Sequence, residues 1–296
     1  MPSSDFRVPN QMLVNNSLIA LQKSFQKLSD LQGEASSLKR LSKPSDAPAD
    51  VVAAMSLHAG LARGDQYTRN LSDAQGWLGN ADNALTSVVT QLQKVNDLVV
   101  QASNASLDAN ARQGIATQID SIRQSLIGVA NTQYAGRPIF AGTASGTSAY
   151  NASGQYVGVS SAVERNIAPG QRIQVNVNGD TVFGQPGSDL FNTLTQISQA
   201  VQNDPTQLTT LQTTLGTQTN QVQTQLAQVG SQFLRVQNMQ SQNTSNGLTM
   251  KQNLSTIEDA DIAEVMVNLQ AQQVAYQAAL QATARAIQPS LTDFLK

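Results

Sequence analysis

With 296 residues the chain has room for two or three domains at ~150 residues each, and its 18 Lys and Arg against 20 Asp and Glu leave a formal charge of -2. Charged residues make up 13%, about half the share usual in soluble domains, and 38 Gln with 22 Asn take their place; the surface is amide-rich and lacks the cationic field that binds nucleic acid. There is no cysteine, and the single histidine, His58, reads as a helix-surface or packed residue, so no catalytic residue, cofactor site or metal site is expected.

The opening stretch MPSSDFRVPNQML has no cationic segment followed by an apolar one, and no apolar run reaches ~18 residues, so neither a cleavable signal nor membrane insertion is expected. Val14, Leu18, Leu21, Phe25 and Leu28 then alternate spacings of four and three, continued by Gln32 and Ala35, which predicts one long amphipathic helix. Pro44 and Pro48 break it, Ser45 or Asp46 can cap the next helix, and that second helical region begins near Ala49. Its register is cleanest through Leu78, Ala81, Leu85, Val88, Leu92, Val95, Val99 and Ala102, closed by a loop at residues 104–108. A third helix carries Ile115, Ile119, Ile122, Leu126 and Val129.

From Gly136 the composition changes to Gly, Pro and β-branched residues, with alternation at Ile173, Val175 and Val177. Residues 137–186 read as a small antiparallel β domain with Asn178-Gly179 as a hairpin turn. Helix returns at Asp189, is interrupted at Asn203-Asp204-Pro205, and resumes with Leu215, Val222, Leu226, Val229, Phe233 and Val236. Polar Gln240, Asn243 and Gly247 weaken the same frame further on. Asp259 and Asp261 suit a helix start, and a last stripe runs through Ile262, Val265, Met266, Leu269, Tyr276, Leu280 and Ile287 to Pro289.

This order predicts a mainly α fold: a long antiparallel, coiled-coil-like helical bundle built from both chain ends, with a small β-rich insert in the middle. The expected division is residues 1–48 with 253–296 as terminal helices, 49–136 with 187–252 as a helical core, and 137–186 as the β part. A single stripe on a helix of ~30 residues cannot hide its apolar face alone, so each terminal helix needs another helix as partner.

QMLVNNSLIALQKSFQKLSDLQ followed by SSLKRLSKPSDAPAD, then DQYTRNLSDAQGWLGNADNAL, GRPIFAGT and the closing LSTIEDADIAEVMVNLQAQQVAYQAALQATARAIQPSLTDFLK resemble the bacterial flagellin family, and within it the hook-filament junction branch. Leu38 stands where the pattern has Gly, and Ala47 where it has a second Asp. The Pro-Ser-Asp-x-Pro form and the SLTDFLK ending favour a junction protein over filament flagellin. The resemblance implies a structural protein of the flagellum that joins hook to filament by helical subunit packing, exported unfolded through the flagellar secretion channel to the extracellular flagellum. It also implies its partners: copies of itself, the other junction protein, flagellin, and a cytoplasmic export chaperone on the C-terminal helix.

On this reading Leu18, Leu21, Phe25, Leu28, Ile262, Val265, Leu269, Leu280 and Ile287 form a subunit interface, with internal core as the other use of such a stripe. Asp46 is either a subunit contact or a helix cap. Leu85, Val88, Leu92, Val95, Phe233 and Val236 are expected in the internal core. Filament flagellin and a secreted coiled-coil adhesin or effector are the alternatives.

Overall fold

Long 3,4-spaced stripes and few breakers make this chain mostly helix. The computed structural model describes residues 7–41, 43, 45, 47–104 and 107–287, and for 7–11, 13, 14 and 285–287 the backbone alone. In chain order come α1 (Arg7–Ser37), α2 (Pro48–Ala102), α3 (Ala109–Ala130), β1 (Gln133–Tyr134), β2 (Arg137–Pro138), β3 (Glu164–Ala168), β4 (Gln171–Gln174), α4 (Gly179–Phe183), α5 (Leu190–Asn203), α6 (Leu208–Glu258) and α7 (Ile262–Ile287). Aspartates set several helix starts. Asp108 accepts from the Ala111 N–H at 2.7 Å, Asp189 from Asn192 at 2.9 Å and Asp261 from Ala263 at 2.9 Å, each meeting a backbone donor that the helix leaves unpaired.

The chain divides into two compact units, one of residues 63–246 and one combining residues 1–62 with 247–296. In the middle unit the heptad repeat is filled. Leu71, Leu78, Leu85, Leu92 and Val99 of α2 recur every seven residues, as do Leu208, Leu215, Val222, Val229 and Val236 of α6, and all are buried. Ile115, Ile119 and Leu126 of α3 and Leu194, Ile197 and Val201 of α5 join the same core. The expected core residues Val88 and Val95 are buried with them, and Phe233 packs against the cluster.

The strand-rich stretch hangs on an aromatic knot. Tyr150 packs edge-on to Phe183 and Phe191 at ring centroids 5.4 and 5.1 Å apart, and Phe140 meets Phe183 at 5.4 Å. Asn131 organises the approach, its Oδ1 accepting from the Ala149 and Tyr150 N–H groups at 2.8 and 2.9 Å. The Tyr150 hydroxyl is buried without a hydrogen-bond partner, and burial pushes its pKa far upward.

Two antiparallel hairpins occur here, β1 with β2 and β3 with β4. Their turns are not where the Asn-Gly pair suggests. Asn178 has φ -78° and ψ 137° and precedes the short helix α4, whereas a two-residue hairpin turn of the Asn-Gly kind needs positive φ at both positions. Ala135 and Gly136, at φ 50° and 75°, supply that turn for β1 and β2. Pro169-Gly170 closes β3 onto β4, with Gly170 at φ 68°. Ile173, Val175 and Val177 are all buried, but only Ile173 lies in a strand.

Candidate assembly interface

The terminal unit is made by α1 and α7 running antiparallel, with the first turns of α2 and the last of α6. The seam on α1 falls at Ser17, Leu21, Ser24, Leu28, Leu31 and Ala35, each half-buried, and on α7 at Val265, Leu269, Gln272, Tyr276, Ala279 and Thr283. Both series alternate four and three. Half the seam is polar or small: the Gln272 side-chain amide donates to the Ser24 carbonyl at 3.0 Å and to its hydroxyl at 2.9 Å.

The expected stripe on α1 is therefore only partly used within the chain. Leu21 and Leu28 reach the seam, while Leu18 and Phe25 lie on its flank, 48% and 56% exposed. Phe25 still meets Tyr276 at 5.9 Å between ring centroids. On α7, Val265 is buried and Leu269 half-buried, but Ile262 and Leu280 remain 43% and 41% exposed. Asp46 and the Ile287 side chain lie outside the described residues.

An ionic clamp ties the two chain ends together. The Lys39 ammonium donates to Asp259 at 2.6 Å and Glu258 at 3.2 Å, and His58 Nε2 lies 2.7 Å from the other Glu258 oxygen. Arg40 reaches Asp50 at 2.9 Å and the Ile257 carbonyl at 2.8 Å, and its backbone N–H donates to the Glu258 carbonyl at 2.7 Å. Its hydrogen bonds to the Asp259 and Glu258 carboxylates raise the Lys39 pKa above its ordinary 10.5. For Glu258, burial pushes upward, but His58 and Lys39 outweigh it and hold the carboxyl below its usual range; Asp259 is lowered by Lys39 and then Ser255. The sequence places Asp259 with Asp261 at a helix start, but Asp261 alone caps α7 and Asp259 pairs with Lys39; Lys39, Arg40 and Glu258 stand out only as parts of motifs, because nothing local says that residues some 220 positions apart will pair.

Leu38, in place of the glycine of the family pattern, sits at φ 58° just past the end of α1. Its N–H donates to the Glu34 carbonyl at 2.9 Å and its own carbonyl accepts from the Ala260 N–H at 3.1 Å. The left-handed helix terminus that favours glycine is thus kept with a leucine in it. Thirteen of the seventeen exposed large apolar side chains among the described residues belong to the terminal unit, which buries only Ala54 and Val265 of its own apolar side chains. Among the described residues no group of three or more His, Asp and Glu could hold a metal ion, and no described helix is long and apolar enough to cross a membrane.

Residues 8–145 match the bacterial flagellin N-terminal helical region, a stretch that contains nearly all of α1, the clamp lysine and the whole of α2 and α3. Flagellar hook-associated protein 3 of Escherichia coli (strain K12) is 26% identical over 93% of this chain and 95% of its own length. The chain is thus similar to the hook-associated relative over nearly all of its length, whereas flagellin of Bacillus subtilis (strain 168), 28% identical, aligns with 45% of this chain and 42% of its own. The fold agrees with the crystal structure of flagellar hook associated protein-3 from Legionella pneumophila, at TM-score 0.61 over 68% of this chain and 98% of that one, with 14% identity.

Proposed function

We propose that this chain is a structural subunit of the bacterial flagellum, joining hook to filament by packing its terminal helices against copies of itself and neighbouring flagellar chains. The observation that carries the reading is the placement of exposed apolar side chains. They crowd into the unit built from both chain ends, while the middle unit closes its own core. Leu18, Phe25, Ile262 and Leu280 serve as interface, supported by half-buried Leu21, Leu28 and Leu269; Val265 helps hold α7 on α1, and Asp46 and Ile287 belong to the same proposed contact surface. The alignment along nearly all of a hook-associated relative supports a junction role over a filament one.

The finer assignments rest on that reading. The terminal helices supply the contacts of the inner tube of the assembly. Export proceeds unfolded through the flagellar secretion channel, and a cytoplasmic chaperone covers the segment from Ile257 to Leu295, whose apolar stripe is an aggregation hazard before assembly. Flagella labelled through an insertion in residues 143–162 provide the test. One narrow band between hook and filament is the expected result, and label along the whole filament would replace the junction reading with a flagellin one.

A further inference from the structure

A cleft of about 210 Å³ opens in the middle unit between α6 and the segment that runs from β4 into α4. Its lining is almost wholly amide. On one side Gln225, Gln228 and Gln232, spaced three and four apart, share a face of α6. Gln174, Asn176 and Asn178 stand on the other. Val177 and Val229, both buried, add apolar surface between the two walls. Among the described residues no charged side chain lines the cleft.

The wall opposite α6 is held in place by its own bonds. Asn176, 2% exposed, accepts from the Val163 N–H at 2.6 Å and donates to the Ser161 carbonyl at 3.0 Å and to Asn178 Oδ1 at 2.9 Å. The Gln174 amide nitrogen donates to the Asn176 carbonyl at 3.0 Å, and the Gln221 amide ties α6 to the Thr181 carbonyl at 2.6 Å. Gln174 Oε1 is left as an acceptor and Asn178 Nδ2 as a donor. Among the described residues, the side-chain amides of Gln225, Gln228 and Gln232 make no hydrogen bond within the chain.

We infer that this cleft binds a neutral sugar ring. With no charge in the walls, a phosphate, a carboxylate or an amine would lose its water and find no counter-charge. Hydroxyl groups suit the walls better: each is at once donor and acceptor, and each amide offers both functions side by side. Sugar hydroxyls leave water at little cost only where every lost bond is replaced, and the unpartnered amides on the two walls supply the replacements. Val177 and Val229 meet the C–H face of the ring. The volume admits one ring and excludes an extended peptide or a larger ligand, which need about 300 Å³ or more. This site is independent of the assembly role, because every residue in it belongs to the middle unit.

The test uses full-length protein labelled with nitrogen-15 and follows the assigned side-chain amide signals of Gln225, Gln228 and Gln232 by NMR. The probes are methyl glucoside, methyl galactoside, methyl mannoside and N-acetylglucosamine. A ring of about 12 non-hydrogen atoms at ordinary ligand efficiency gives a Kd of about a millimolar, so each probe is raised to about twenty times that concentration. At least one should shift the three signals saturably. Gln228→Glu should weaken that binding about fivefold or more, while Gln223→Glu, an exposed change on the far side of α6, should leave it unchanged. Unchanged melting by circular dichroism establishes that both variants are folded. No saturable shift with any of the four sugars would overturn the inference, as would equal affinity in the Gln228→Glu protein. Glycerol moving the same signals at the same concentrations would also overturn it, by showing a general polyol effect. N-acetylglycinamide acting at lower concentration than every sugar would assign the cleft to peptide amides instead.

Discussion

The middle and terminal units are written in the same sequence language and come to opposite ends. On α2 and α6 the seven-residue repeats from Leu71 to Val99 and from Leu208 to Val236 are buried to the last side chain, because α3, α5 and the aromatic knot close the space around them. On α1 and α7 equally regular stripes meet a single helix, and a single helix covers only one flank of each. Periodicity therefore states that a face is apolar; the number of partners decides whether it is core or contact surface.

The largest expected contrast tests that division directly. Leu92→Asp puts a carboxylate where the side chain is 1% exposed and should cost about 4 kcal/mol or more, unfolding the isolated protein. Leu280→Asp, at a position 41% exposed, should change the melting of the isolated chain by less than about 0.5 kcal/mol and abolish assembly and motility. Equal losses in denaturant titrations of the two variants would erase the distinction between the units.

A pair of glycines sharpens it at intermediate size. A Cβ at Gly142, where φ is 63°, would lie 1.8 Å from the Val159 carbonyl oxygen, so Gly142→Ala should cost about 3 kcal/mol in the middle unit. Gly33, inside α1, has nothing within 4 Å of a Cβ, and Gly33→Ala should stabilise that helix by about 0.5–1 kcal/mol. Urea titration reads the first, and amide exchange along α1 the second.

Leu38→Gly restores the residue type of the family pattern at a left-handed position and should stabilise the clamp region by about 1 kcal/mol. The Ala260 N–H, bonded to the Leu38 carbonyl, is the reporter, and its exchange should slow. Faster exchange would mean that the leucine side chain contributes a contact worth more than the strain.

The smallest effect is electrostatic. Glu258 and Asp259 have lowered pKa values, so their contribution is present above the ordinary carboxylate values of 4.5 and 3.8 and is lost as pH falls through the lower folded values. Lys39 is raised, so its contribution is present below 10.5 and is lost as pH rises through the higher folded value. Amide exchange at Asp259 and Ala260, corrected for intrinsic rates, should be slowest relative to the middle unit between those limits and should accelerate on acidification below about pH 4. Lys39→Gln should flatten that profile.

Much of this was legible in the residues alone. Heptad spacing gave the long helices, Asp189 and Asp204-Pro205 marked their boundaries, and the motifs at both ends gave the resemblance to flagellin-type chains, because these signals are local: a cap, a breaker or a stripe acts within one or two helical turns. The Pro169-Gly170 turn was equally local and went unread because Asn178-Gly179 carried the stronger hairpin signal; the short helix α4 took that position instead, with Val182 and Phe183 buried in it. Tertiary structure alone decided which flank of α1 meets α7, that Lys39 finds Glu258 and Asp259, and that Leu18, Phe25 and Leu280 stay uncovered. Those outcomes depend on the rotation and register of segments more than 200 residues apart. A stripe with Leu18, Leu21, Phe25 and Leu28 on it is wide enough to accept a partner at several rotations, and the Ser24 to Gln272 bonds, invisible to hydrophobic periodicity, accompany the rotation the chain adopts.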